Sequence, residues 1–294
     1  TASQLANSIL RMQDPSMREE YLATAKTKPS ILLKGDTPRL IDEWQDAPML
    51  WDAVRTTVDD RQVPGQFILT GSNAVDKSQI HHSGAGRIAR LRMLPMSLWE
   101  SQESTGEVSL KELFNNPDYD IDGKMSKMTV EDLIFAASRG GWPASLLART
   151  PKAQLLVAKN YVQTICSDDV SGIDGKKRDA KLTSMILRAY ARNVSTLVKK
   201  KSLLDDVTSS GEVSCHIDTF DDYVSALEKL FVIQNISAWC PAIRSKTAIR
   251  SSVKRCFCDP SIPIALLGLS PEALSMQLRT FGFIFEQMCI RDLK

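Results

Sequence analysis

The chain has 294 residues, and at about 100–200 residues per domain that length favours two domains over one. Apolar residues make up 43% and charged residues 24%, and no apolar run approaches the roughly 20 residues that a spanning helix needs, so membrane-embedded classes are set aside and a soluble protein is expected. Lys and Arg exceed Asp and Glu by only two, so the overall charge selects no partner and local clustering has to. Six cysteines without a secretory leader read as reduced thiols in a cytoplasm rather than as a disulfide framework.

In chain order, Ala2, Leu5, Ala6, Ile9 and Leu10 fall at helical spacing, which predicts a helix over 1–12 that the chain enters part-way along. Asp14-Pro15 ends it, and a polar stretch follows to Leu33. Arg39-Leu40-Ile41 reads as a short buried strand ending in Asp42 and Glu43. Leu50, Val54 and Val58 predict a helix from about Pro48 to Asp59, Pro64-Gly65 breaks it, and Gln66 to Ser72 is a second buried strand. Strand, helix, strand is the pattern of a parallel α/β sheet. Alternation over Ile88 to Leu94 predicts a third strand. From Leu110 onward the pattern is helical, broken by the polar 115–127 segment and by Gly140-Gly141-Trp142-Pro143. Lys181 to Val207 reads as helix, Ser209 to Glu212 as a turn, Asp218 to Leu230 as a helix capped by Asp218 or Thr219, and Phe231 to Trp239 as a strand. Helix, turn, helix and a following hairpin predict a winged helix. The last helix carries Leu274, Leu278, Phe281, Phe285 and Met288 and runs to the end without a stop signal.

An apolar strand ending in adjacent Asp and Glu suits nucleotide hydrolysis at the carboxyl edge of a parallel sheet: Asp42 would hold Mg²⁺ through water and Glu43 would polarise the attacking water. Two solvated carboxylates at a strand end is the competing reading. Thr70 and Ser72 put small hydroxyls where the neighbouring strand ends, within reach of a γ-phosphate, although such residues also cap ordinary turns. Arg87 follows the glycine loop Gly84-Ala85-Gly86 and is a candidate arginine finger, acting in cis or from a neighbouring subunit. Arg90 and Arg92 compete for that role, and a surface ion pair is the plain alternative.

These elements, in this order, resemble the bacterial AAA-type ATPases that carry an archaeal-ATPase-like core, a winged helix and a C-terminal domain related in fold to restriction endonucleases. The resemblance rests on Thr1-Ala2-Ser3-Gln4-Leu5-Ala6, Pro38 to Gln45, Pro48 to Arg55, Phe67 to Ser72, His82 to Ile88 and Met96 to Glu100, and more weakly on Gly140 to Pro143 and Phe281 to Glu286. It implies a P-loop NTPase core over 1–100, truncated at its N-terminus, then a helical lid-like region over 101–178, a winged helix over 179–268 and the start of a nuclease-like domain over 269–294. It implies ATP and Mg²⁺ as ligands of the intact protein, with Glu43 and Arg87 catalytic, Thr70 and Ser72 sensing nucleotide and Asp42 on the metal. Family members carry G-x-x-x-x-G-K-S/T immediately ahead of the segment matching Thr1, and this chain has no such motif. The backbone cradle and its lysine are therefore missing, and the fragment is expected to bind ATP weakly and to hydrolyse none.

The second half is locally basic. Residues 172–201 hold Lys176, Lys177, Arg178, Lys181, Arg188, Arg192, Lys199, Lys200 and Lys201 against Asp174 and Asp179, a net +7, and 242–257 adds Arg244, Lys246, Arg250, Lys254 and Arg255. Such a bias could hold a phosphate backbone, which makes DNA a candidate partner beside ATP and a further copy of the chain. A solvated charged face is the competing reading, and Asp221, Asp222 and Glu228 sit awkwardly on a groove-reading helix. Cys256-x-Cys258 lacks the second pair of a structural zinc site, His81-His82 reads as a solvated loop, and Glu286 lacks the later positions of a nuclease site.

Overall fold

The computed structural model describes residues 1–72, 84–209, 211–239 and 252–294. His81, His82, Arg244, Lys246 and Arg250, singled out above, lie outside them. The chain divides into two units, Thr1–Arg92 and Met93–Lys294.

The first unit is built on three parallel strands, β1 (Ser8–Arg11), β2 (Arg39–Asp42) and β3 (Phe67–Thr70), in the order β1-β2-β3. Arg11 pairs with Asp42, and Asp42 with Thr70, so three strand ends lie side by side. β1 replaces the helix expected over 1–12; only a single 3₁₀ turn, Ala2–Gln4, precedes it. A four-residue strand is too short to show a period of two, and Leu10 is buried because β2 lies beside it, a partner that local spacing cannot reveal. Helix α1 (Arg18–Thr27) occupies the stretch read only as polar. Its residues are good helix formers, but apart from Tyr21, Leu22 and Ala25 it offers the core little, so the apolar stripe was thin. α2 (Met49–Arg61) lies where expected and buries Leu50, Trp51 and Val54. Ile41, Leu10, Met12, Leu33, Leu50 and Val54 form the core of the unit. No strand forms among the described residues over 88–94: Leu91 is 91% exposed, so alternation without a paired edge was not enough.

The second unit is helical. α3 (Leu110–Asn115) is capped by Ser109, α4 (Val130–Arg139) by a reciprocal box between Thr129 and Asp132, and α6 (Pro151–Thr164) by Thr150 with proline at its first position; α5 (Pro143–Leu147) lies between the last two. α6 runs through a π turn, Ile165–Asp169, into the short α7 (Val170–Gly172). The helix expected over 181–207 is two, α8 (Ala180–Arg192), capped by Asp179, and α9 (Lys200–Thr208), parted at Asn193. α10 (Ile217–Lys229) starts earlier than expected, with His216 at its cap position and no side-chain cap. The strand expected over 231–239 contributes two antiparallel bridges, Ile233 to Phe257 and Ile236 to Lys254. α11 (Ser261–Leu267), α12 (Pro271–Ser275) and α13 (Leu278–Asp292) complete the unit; the break at Met276 divides the final helix that the spacing predicts. α11 packs on α8 and α6 around Ile186, Leu187, Tyr190, Phe257 and Ile262.

Gly140-Gly141-Trp142-Pro143 belongs to a buried junction. Asp259, fully buried, accepts from the Gly141 N–H at 2.9 Å, from the Ser261 N–H and hydroxyl at 2.9 and 2.5 Å, and from Arg291 Nη1 at 3.0 Å. Trp142 Nε1 donates to the Ser261 hydroxyl at 2.9 Å. A Cβ on Gly141 would strike the Met96 backbone, which is why the chain passes there on glycine.

Candidate functional site

The described part of the first unit brings four of the five site residues to one edge. Asp42 and Thr70 end adjacent strands in register, and the Thr70 hydroxyl donates to Asp42 Oδ1 at 2.7 Å. The backbone carbonyl of Asp42 accepts from the Met12 N–H at 3.1 Å, tying the tip of β2 to the end of β1. Glu43 then turns the chain out of the sheet in the left-handed region, φ 56° and ψ 45°, a conformation uncommon for a residue with a Cβ and concentrated at functional turns. A 3₁₀ turn, Trp44–Asp46, follows at once and projects Gln45 back over Glu43. Gln45 Nε2 donates to Glu43 Oε2 and lies 3.5 Å from the Ser72 hydroxyl, which is itself 3.5 Å from Glu43 Oε2. Gln45 Oε1 is buried without a hydrogen-bond partner among the described residues.

Arg87 is not brought to this edge. Its Nε lies 2.6 Å from Asp59 Oδ1, and Arg55 lies 3.4 Å from the other oxygen of the same carboxylate. Asp59 is ten residues along α2 from Met49, about 15 Å at 1.5 Å per residue. Arg90 stacks over Trp51, 5.1 Å from the ring centroid, and Trp51 in turn lies 5.1 Å from Trp44.

The sequence reading missed the residues on the β1 side. A cavity of about 350 Å³ is lined by Arg11, Gln13, Asp14, Pro15, Asp42 and Glu43. Recognising β1 as a strand would have placed Arg11 next to Asp42. The Ser16 hydroxyl and N–H hold the Asp14 carboxyl below the usual carboxylate range.

Mg²⁺ keeps most of its waters and takes one or two carboxylates plus phosphate oxygens. The donor set fits that pattern: Thr70 occupies one oxygen of Asp42 and leaves the other.

The family model for AAA domains matches residues 3–102. That third of the chain holds all three strands, Asp42, Glu43, Thr70, Ser72 and Arg87, and its likeness to AAA domains points to an ATPase-type, nucleotide-binding function. The mixed α/β architecture with a small parallel sheet is consistent with a P-loop-like core. A second family model, a domain of unknown function (DUF8612), matches residues 130–273. No curated protein and no solved structure matches the chain. No helix among the described residues is long and apolar enough to cross a membrane.

Much of the basic bias in the second unit is neutralised within that unit. Arg178 is buried between Asp174 and Asp222, with two bonds to each carboxylate, and holds the Asp174 carboxyl at about 2. Lys176 also pairs with Asp222, Lys181 with Glu212, Lys200 with Asp221 and Lys254 with Glu286. Asp221 and Asp222, two of the acids that looked awkward on α10, are thus partners of cations, while Glu228 accepts from Asn235 Nδ2. Lys177, Arg188, Arg192, Lys199 and Lys201 are exposed, and Arg188 and Arg192 lie one turn apart on the outer face of α8. Cys256 and Cys258 are core residues; burial pushes the Cys256 thiol up to about 11 and that of Cys258 higher.

Proposed function

We propose that the AAA-like segment is the catalytic edge of an ATP-hydrolysing switch, with Asp42 anchoring hydrated Mg²⁺, Glu43 polarising the attacking water, and Thr70 and Ser72 sensing the γ-phosphate. The observation that carries the reading is the Thr70 to Asp42 bond at the tips of neighbouring parallel strands, with Glu43 and Ser72 beside it. Bound Mg²⁺ would neutralise charge on the phosphates. The chain's own groups do the rest: Thr70 fixes the rotamer of Asp42, and the turn at Glu43 carries its carboxylate off the strand axis. Arg87 would supply charge only after leaving Asp59, in cis or from a neighbouring copy in a homo-oligomer. Because the chain has no G-x-x-x-x-G-K-S/T motif, the β- and γ-phosphates need a cradle from elsewhere. The test compares these 294 residues with a chain extended upstream through a phosphate loop. Mg·ATP should raise the melting temperature of the longer chain alone, and Glu43→Gln should abolish its hydrolysis while sparing binding. Hydrolysis by the 294-residue chain itself, lost on Glu43→Gln, would overturn the account.

A second reading, a DNA- or protein-binding winged-helix regulator with a vestigial ATPase site, is favoured by the exposed Arg188 and Arg192 on α8 and Lys199 and Lys201 at the head of α9. On this reading α8, α9 and α10 would supply the helix-turn-helix and the two antiparallel bridges the wing. Anisotropy with duplex DNA at rising salt tests it: steep weakening supports the reading, and no binding at low salt removes it.

A further inference from the structure

Glu43 is the residue on which the proposed hydrolysis turns, and its carboxylate is not free at the strand tip. Two residues on, the Gln45 amide reaches back to Glu43 Oε2 and sits at 3.5 Å from the Ser72 hydroxyl. We infer that Gln45 is a positioning residue, whose amide latches the water-polarising carboxylate of Glu43 to the phosphate-sensing hydroxyl of Ser72.

This inference rests on the nucleotide reading for its consequence, but its geometry stands apart. A carboxamide presents two N–H donors and one acceptor. Turned as it is, the amide offers its donors to Glu43 and Ser72 and leaves Oε1 buried with no partner among the described residues. The opposite orientation would set Oε1 against Glu43 Oε2, two acceptors facing each other, so the carboxylate dictates which way the amide points. An orphaned buried acceptor is costly, and the chain keeps one here, as expected where a donor pair is held for a task rather than for packing. The local backbone serves the same end. The left-handed turn at Glu43 and the 3₁₀ turn after it fold residue 45 back over residue 43. Gly71, on the chain from Thr70 to Ser72, is the second accommodation: a Cβ there would collide with Gln45 Oε1. Since Ser72 and Glu43 share one amide, a phosphate oxygen that drew the Ser72 hydroxyl away would be felt at the carboxylate through a single side chain.

The test uses the ¹⁵N-labelled 294-residue chain at one fixed pH. A side-chain amide proton of Gln45 should lie downfield and exchange slowly with water, and both features should be lost in Glu43→Ala. Gly71→Ala, which displaces the amide without touching it chemically, should speed that exchange at an unchanged melting temperature. Gln45 amide protons that exchange as freely in the wild-type chain as in Glu43→Ala overturn the latch. In the chain extended through a phosphate loop, Gln45→Ala should lower kcat about 10–100-fold with KM for Mg·ATP nearly unchanged, as outer-shell partners do. Gln45→Asn should recover part of the loss, and Gln45→Glu, which sets like charge against Glu43, should not. An unchanged kcat in Gln45→Ala also overturns it. The nucleotide reading fails separately, if the extended wild-type chain binds no Mg·ATP; the amide exchange still decides whether Gln45 holds Glu43.

Discussion

Replacing Asp259 with alanine strips one buried spot of the acceptor for four donors: the N–H groups of Gly141 and Ser261, the Ser261 hydroxyl and Arg291 Nη1. The Arg291 side chain is 2% exposed and that of Asp259 is not exposed at all, so water cannot replace what is lost. Breaking a buried ion pair by removing one partner costs about 3–5 kcal/mol, and each orphaned N–H adds about 1–3 kcal/mol where the backbone cannot relax. Arg291 keeps Asp292, at 2.7 Å and 22% exposed, so the lower end of the range is the working figure. For a unit of this size each kcal/mol moves Tm by about 2–4 °C, so the transition of Met93–Lys294 should fall by about 6–12 °C for a loss of about 3 kcal/mol, while that of Thr1–Arg92 stays in place. Scanning calorimetry, which separates the two transitions, is the assay. Asp259→Ala combined with Arg291→Met should recover part of the loss, because the uncompensated charge has gone. A fall below about 2 °C in the single variant, or no recovery in the double, would refute the claim that this junction holds the unit together.

Further expectations follow from charges whose partners the fold reveals. Asp174 titrates at about 2 in the folded chain against about 3.9 unfolded, so its pairing with Arg178 stabilises fully above pH 4 and the benefit fades as pH falls through 2. Urea midpoints of the second unit should therefore drop between pH 5 and pH 2, and Arg178→Met should flatten that slope. Arg87→Ala removes a half-exposed pair with Asp59 and should change stability by less than about 1 kcal/mol, while lowering kcat of a phosphate-loop-bearing chain by about 10³-fold or more if Arg87 acts as the finger. Stopped turnover and urea titration read the two effects independently. If DNA binds the second unit, Arg188→Ala with Arg192→Ala should reduce the salt slope by about 2, whereas Lys200→Ala, already paired with Asp221, should change it less.

What the sequence determined by itself is the local part of the first unit. Short apolar runs at Arg39–Asp42 and Phe67–Thr70 and the 3.6-residue stripe of α2 carry their own periodicity, and a strand, helix, strand unit must place consecutive parallel strand ends together, so Asp42 and Thr70 could be expected to meet. Tertiary structure decided everything that depends on a neighbour distant in the chain. Ser8–Arg11 is a strand only because β2 lies beside it, so the spacing that resembled a helix misled, and Arg11 came to the edge unforeseen. Arg87 follows the glycine loop as expected, yet Asp59 claims it. The Gln45 latch depends on a left-handed Glu43, which no side-chain pattern announces. Lys176 and Arg178 meet Asp222 more than forty residues away, so charge counted along the segment overstated the charge left on the surface. Periodicity records which face of an element is buried; it does not record which element buries it, and ion pairs and strand registers are set by the second of these.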